Sequence, residues 1–189
     1  MILVAAVLIG LAAGILRARA GGREYRVFEL RATLLVLVAF IPQLLIFFLP
    51  FSRTQIPTNI ASILHITSLL ALIVFSFFNI QKTSFWPIIT GFLMNALVIV
   101  LNGGWMPISP DTMQKINAGT WQIGNRVGFS KDILLQRDET RLWFLSDRFT
   151  LPAWLNYQVA FSLGDIFIFV GIISLLWSLG GAKKDKVKE

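Results

Sequence analysis

Five apolar stretches run along the chain and constrain its fold more than any other feature. They cover about residues 1–16, 32–51, 59–80, 85–101 and 157–179. Each approaches the roughly 20 apolar residues that a helix needs to cross the hydrocarbon core of a bilayer. In that solvent every backbone N–H and C=O must find its partner within the chain, so helices are the expected form. The expected fold class is an all-α membrane protein. It is a five-helix transmembrane bundle in a single domain over 1–182, with a basic cytoplasmic tail at 183–189. Composition agrees, with 56% hydrophobic and only 14% charged residues, against about 45–50% and about 25% in soluble domains.

The basic residues set the orientation. Arg17, Arg19, Arg23, Arg26 and Arg31 follow the first stretch, Lys82 follows the third, and Lys183, Lys184, Lys186 and Lys188 follow the fifth. The second connection holds only Arg53. Cytoplasmic connections carry the excess of Lys and Arg, which places the N-terminus outside and the C-terminus in the cytoplasm. The long connection at 102–156 is then an outer loop, and its own basic residues weigh little because long loops translocate regardless of charge. The first stretch opens without a basic region and its arginines come afterwards, the reverse of a signal peptide, so it reads as a retained helix. Multi-pass insertion in a bacterial plasma membrane is the expected location. Topology accounts for the net charge of +7, so the expected partners are the lipid bilayer and a membrane protein or second copy, with no nucleic acid.

The residue inventory excludes several chemistries. Without cysteine, and with a single histidine, there is no disulfide framework, thiolate nucleophile or multi-histidine zinc site. No cofactor or metal is expected. Gly21-Gly22-Arg23 lacks the lysine and the following Ser/Thr of a phosphate loop, and no hydrolase, zincin or dinucleotide motif occurs. Gly10 and Gly14, and Gly164 and Gly171, read as helix-packing positions.

Polar side chains inside apolar runs are expensive and therefore informative. His65 and Asp165 are the two ionisable ones. With the boundaries above, both lie roughly 9–12 Å below the outer membrane boundary at 1.5 Å per residue. Gln43 and Asn95 fall in the same layer. These four side chains form either interhelical hydrogen bonds or a polar outer-leaflet pocket in which His65 and Asp165 are the candidate acid–base groups. Above them, Asn102-Gly103-Gly104 is a helix stop whose N–H groups could also form a small anion nest. Asp111, Arg126, Asp138, Glu139, Arg141, Asp147 and Arg148 read as solvated or mutually paired charges. Trp105, Trp121, Trp143 and Trp154 suit a cap at the membrane–water interface.

Several short motifs together resemble a bacterial membrane family known only as domain of unknown function 5317. They are Gly21-Gly22-Arg23, Asn102-Gly103-Gly104 with Met106-Pro107, Asp138-Glu139-Thr140-Arg141, Leu145-Ser146-Asp147-Arg148 and Ser162-Leu163-Gly164-Asp165. The resemblance spans nearly the whole chain. It implies a small multi-helix membrane protein and marks Asn102, Gly103, Asp147, Gly164 and Asp165 as site candidates, without naming a chemistry. Three functions stay open: a binding or accessory protein with a polar outer-leaflet pocket, an enzyme acting on a lipid-linked substrate, and a small-solute or proton-coupled transporter.

Overall fold

The structure is a computed structural model that describes residues 2–49, 55–116, 121–128, 130–152, 154–155 and 157–181. Arg53 and the tail at 183–189 lie outside the described residues. The chain is mostly helical. Helix α1 spans Ile2–Ala20, and α2 spans Leu34–Gln43 and runs on as a π-helical segment, Leu44–Phe48. Then come α3 (Thr58–Phe78) and α4 (Phe85–Leu101). The short α5 (Pro110–Ile116) lies in the long connection, and α6 (Leu163–Leu179) closes the bundle. Two helices, α1 and α3, are long and apolar enough to cross a membrane, and the other three apolar helices are shorter.

Local chemistry explains the ends and irregularities. Pro42 lies inside α2 and has no N–H to donate, and the helix widens to π geometry directly after it. Asn79 stops α3 and ties it to the start of the second apolar segment. Its Nδ2 donates to the carbonyls of Phe75 and Arg31, and its Oδ1 accepts the Arg31 N–H. At α4, Gly103 and Gly104 adopt φ of +74° and +89°, which turns the chain sharply after Asn102.

The helices form a row in which α1 packs on α6, α6 on α4, α4 on α3, and α3 on α2. Small residues permit the closest approaches. Gly10 and Gly14 of α1 face Leu176, and Gly91 of α4 faces the backbone of Gly164 on α6. Neighbours alternate in direction except α1 and α6, which run parallel, since Gly10 meets Ile173 and Gly14 meets Gly180. Arginines therefore gather at one end of the bundle. There Arg17 donates to Trp177 O, Arg23 donates to Gly181 O, and Lys82 lies over the Phe28 ring.

The opposite end carries the cap. In it β1 (Met106–Ile108) pairs in parallel with β2 (Asp132–Leu134), and β3 (Phe149–Thr150) pairs antiparallel with β4 (Ala160–Phe161). A 3-10 turn, Trp143–Leu145, lies between β2 and β3.

These strands and the short α5 give the long connection mixed structure of its own beside the mostly helical remainder. The strands correct a boundary: α6 starts at Leu163 rather than near residue 157, because Ala160 and Phe161 are engaged with β3 and Ser162 caps the helix. Helix α1 extends to Ala20 instead of ending near residue 16, which places Arg17 and Arg19 in its last turn, where cations suit the helix dipole. Helix α2 begins at Leu34 rather than near residue 32.

Candidate functional site

The four polar residues expected in one layer come from four helices and border one cavity. Gln43 (α2), His65 (α3), Asn95 (α4) and Asp165 (α6) line a partly open space of about 370 Å³. Lys131 of the cap joins them. Apolar side chains make up the remaining wall, among them Leu3 of α1, Phe47 and Phe48 of α2, Leu69 and Leu72 of α3, and Ile168 of α6. The two ends of the helix row, α1 and α2, thus meet across this cavity.

Asp165 is held from three directions. It occupies the third position of α6 in a capping box: its N–H donates to Ser162 Oγ at 3.0 Å, and its carboxylate accepts the Ser162 N–H at 3.2 Å. Asn95 Nδ2 donates to the other carboxylate oxygen at 2.9 Å, and Ser162 Oγ donates to Asn95 Oδ1 at 2.8 Å. Gly164 makes this closed network possible, because a Cβ there would collide with the Asn95 side chain and the Gly91 carbonyl. Asp165 therefore sits at a helix start rather than well inside a helix, as the expected boundary near residue 157 had it.

His65 is fixed independently. Its Nδ1 lies 2.9 Å from Gly104 O. A carbonyl can only accept, so Nδ1 carries the proton and the neutral ring keeps its lone pair on Nε2. Nε2 has no hydrogen-bond partner among the described residues. Phe47 meets the ring edge-on and Trp105 lies tilted against it, with centroids at 5.3 and 5.8 Å. His65 and Asp165 thus share a cavity but no hydrogen bond. Gln43 Nε2 donates to Ser68 Oγ, which donates to Ala39 O, so this side chain ties α2 to α3.

The turn after α4 sits over His65 and is largely spent on structure. The Gly104 N–H donates to Ile99 O and the Asn102 N–H to Val98 O. The Asn102 side chain clamps the cap, with Nδ2 on Val98 O and Arg141 O and Oδ1 on the Arg141 N–H. The N–H groups of Asn102 and Gly104 are thus unavailable for the anion nest envisaged from sequence, and Gly104 contributes its carbonyl to His65.

Asp147 departs furthest from the sequence reading, and Lys131 is the reason. Asp147 is only 1% exposed rather than solvated. Lys131 Nζ lies 3.1 Å from Asp147 Oδ2 and 3.5 Å from Asp165 Oδ2, which joins the cap to α6 through one ammonium. Burial opposes the charge on Lys131, but the carboxylates of Asp147, Asp165 and Asp132 outweigh it and hold the ammonium above the ordinary lysine range. Burial pushes the Asp147 carboxyl up, Lys131 pulls it down, and Asp132 and Asp165 add to the rise. Three carboxylates therefore share one lysine. No local spacing rule points to Lys131; the signal was the cost of Asp165 itself, which demands a counter-charge from somewhere in the fold.

A family model described as "Family of unknown function (DUF5317)" matches residues 27–177, and the chain belongs to that family. No curated protein and no solved structure matches it. The matched range contains every candidate site residue above and begins after the end of α1.

Proposed function

We propose that this member of the DUF5317 family is a five-span plasma-membrane protein, outside at its N-terminus, that holds a neutral amphiphile in the cavity beneath its cap. Helix α1 supports membrane insertion, because its packing is inverted relative to a soluble helix. Its buried positions are Ala6, Gly10, Gly14 and Ala18, while Val4, Leu8 and Leu16 are more than half exposed. Leu37, Ile41, Ile63, Leu70, Leu97 and Val170 add exposed apolar surface on the other long helices, far more than a soluble monomer leaves uncovered. At 1.5 Å per residue the 17-residue helices α4 and α6 reach about 25 Å, near the short limit for a span.

The observation that carries the ligand reading is the division of the cavity wall. Apolar side chains surround its body, and His65, Asn95, Lys131 and Asp165 gather among them. A volume of about 370 Å³ lies at the lower end of small-molecule sites. Lys131 is already balanced by Asp147 and Asp165, so an anionic head group would add to a surplus of negative charge. The open Nε2 of His65 calls for a donor, and a hydroxyl supplies one. An aliphatic chain with a hydroxyl-bearing head fits both halves.

The test is titration of 1-monolauroylglycerol and laurate into the protein in phosphatidylcholine nanodiscs, with bound molecules counted by native mass spectrometry. The expected result is one monolauroylglycerol per chain, preferred over laurate and weakened by His65→Phe and by Leu72→Trp. Equal uptake of both probes, unchanged in both variants, overturns the reading.

A further inference from the structure

A second cavity, of about 360 Å³, lies in the cap and shares no lining residue with the first. Three cations from three separate pieces of chain border it: Lys115 at the end of α5, Arg137 in the turn after β2, and Arg148 before β3. Asp111 is its single carboxylate. No carboxylate among the described residues lies within ion-pair distance of Lys115, Arg137 or Arg148. The lining residues of the cleft therefore carry a net charge of about +2 with no ion pair among them, in a cap where Lys131 is shared among acids.

The two guanidiniums are held in place without using up their charge. Both lie over Trp143, with Arg137 3.7 Å and Arg148 4.5 Å from the ring centroid, and Arg148 also lies 5.1 Å from the Phe149 ring. Stacking fixes the plane of a guanidinium and leaves its N–H edge free to donate. Trp143 itself is fixed by the 3-10 turn, which follows Leu142 in a left-handed conformation at φ +53°. The nearby hydroxyls of Thr140 and Ser146 donate to the carbonyls of Gln136 and Trp143, so recognition falls to the guanidiniums and the ammonium.

We infer that this cleft is a binding site for a phosphomonoester, held by Arg137, Arg148 and Lys115 over the edge of Trp143. Guanidinium forks match phosphate oxygens two at a time, and a phosphomonoester carries about −1.5 to −2 charges at neutral pH, which matches the surplus. The inference rests on the cap alone and stands or falls separately from the amphiphile reading, whose cavity shares none of these residues.

The experiment is calorimetric titration of two probes into the protein in phosphatidylcholine nanodiscs. Glycerol 3-phosphate stands for a soluble ester, and dihexanoyl phosphatidic acid for a lipid head group. At least one is expected to bind at one site per chain and to weaken at least tenfold in Arg137→Gln/Arg148→Gln, with a smaller loss in Lys115→Gln. Equal affinity for the two probes marks a soluble ligand, and preference for phosphatidic acid marks a lipid. Arg137→Lys keeps the charge and loses the fork, so an intermediate affinity is expected. The substituted side chains are exposed, and an unchanged unfolding temperature confirms that the variants fold. Absence of binding for both probes, or binding that the double variant leaves intact, overturns the inference.

Discussion

Replacing Lys131 with methionine is the perturbation whose outcome follows most directly from the structure. It removes the only side-chain donor to Asp147 among the described residues, on a carboxylate that is 1% exposed, and one of the groups facing Asp165. Asp165 keeps Asn95 and the Ser162 N–H; Asp147 keeps no side-chain donor among the described residues. A buried carboxylate without a partner takes a proton instead of staying charged. The cost at pH 7 is therefore at most about 4 kcal/mol, from 1.36 kcal/mol per unit between pH 7 and the unfolded value near 3.9. Because Asp147 is already raised in the intact protein, the loss should fall below that ceiling, at roughly 2–4 kcal/mol. The sign follows from a raised folded pKa: the penalty is small near pH 4 and grows as pH rises. At pH 5 the ceiling is about 1.5 kcal/mol. Thermal unfolding in detergent should show Lys131→Met roughly 5–12 °C below the parent at pH 7, much closer at pH 5, and largely restored by adding Asp147→Asn. A variant that unfolds with the parent at pH 7, or whose loss is the same at both pH values and unrelieved by Asp147→Asn, refutes the buried-counterion account.

Other consequences are as direct. Asn95→Leu leaves Ser162 Oγ and one Asp165 oxygen without their partner and should cost about 1–3 kcal/mol, read as a lowered unfolding temperature that Asn95→Gln does not restore. Gly164→Ala puts a methyl group into the Asn95 side chain and the Gly91 carbonyl. It should cost about 1–3 kcal/mol, while alanine at Gly124, with open space but φ of +83°, should cost about 1 kcal/mol. The ammonium of Lys131 is held above its ordinary range, so its stabilisation is complete below about pH 10.5 and lost as pH rises beyond it. An alkaline unfolding series should show that step in the parent and lack it in Lys131→Met.

Much of the bundle was legible because apolar length and glycine spacing are local properties of the chain. Gly10 and Gly14 do pack α1 on α6, and Gly164 does bring α6 against α4. Gln43, His65, Asn95 and Asp165 do border one cavity, although a boundary used to place them was wrong: α6 starts at Leu163, and Asp165 belongs to its capping box. That boundary failed because the short apolar run Val159-Ala160-Phe161 before the helix looks the same whether it is helix or strand, and the β3–β4 pairing that decides it is non-local. The cap was opaque for the same reason. β1 pairs with β2 across the whole of α5 and the turn beyond it, and nothing in either strand's own residues names the other. Asp147 looked like a loop charge because its burial depends on Lys131 and on the strand bridge to Ile108. The anion nest failed on hydrogen-bond accounting, since the Gly104 N–H already closes the turn on Ile99.

The proposed topology has five helices crossing the bilayer, with the capped end outside and the arginine-rich end inside. The chain contains no cysteine, so single substitutions at exposed positions report without interference. Asp138→Cys in the cap and Gln81→Cys in the turn after α3 are the two sites to compare, each treated in intact cells with a membrane-impermeant maleimide. The account predicts that Asp138→Cys is labelled from outside and that Gln81→Cys is labelled only after the membrane is opened. Labelling of both from the same side contradicts it.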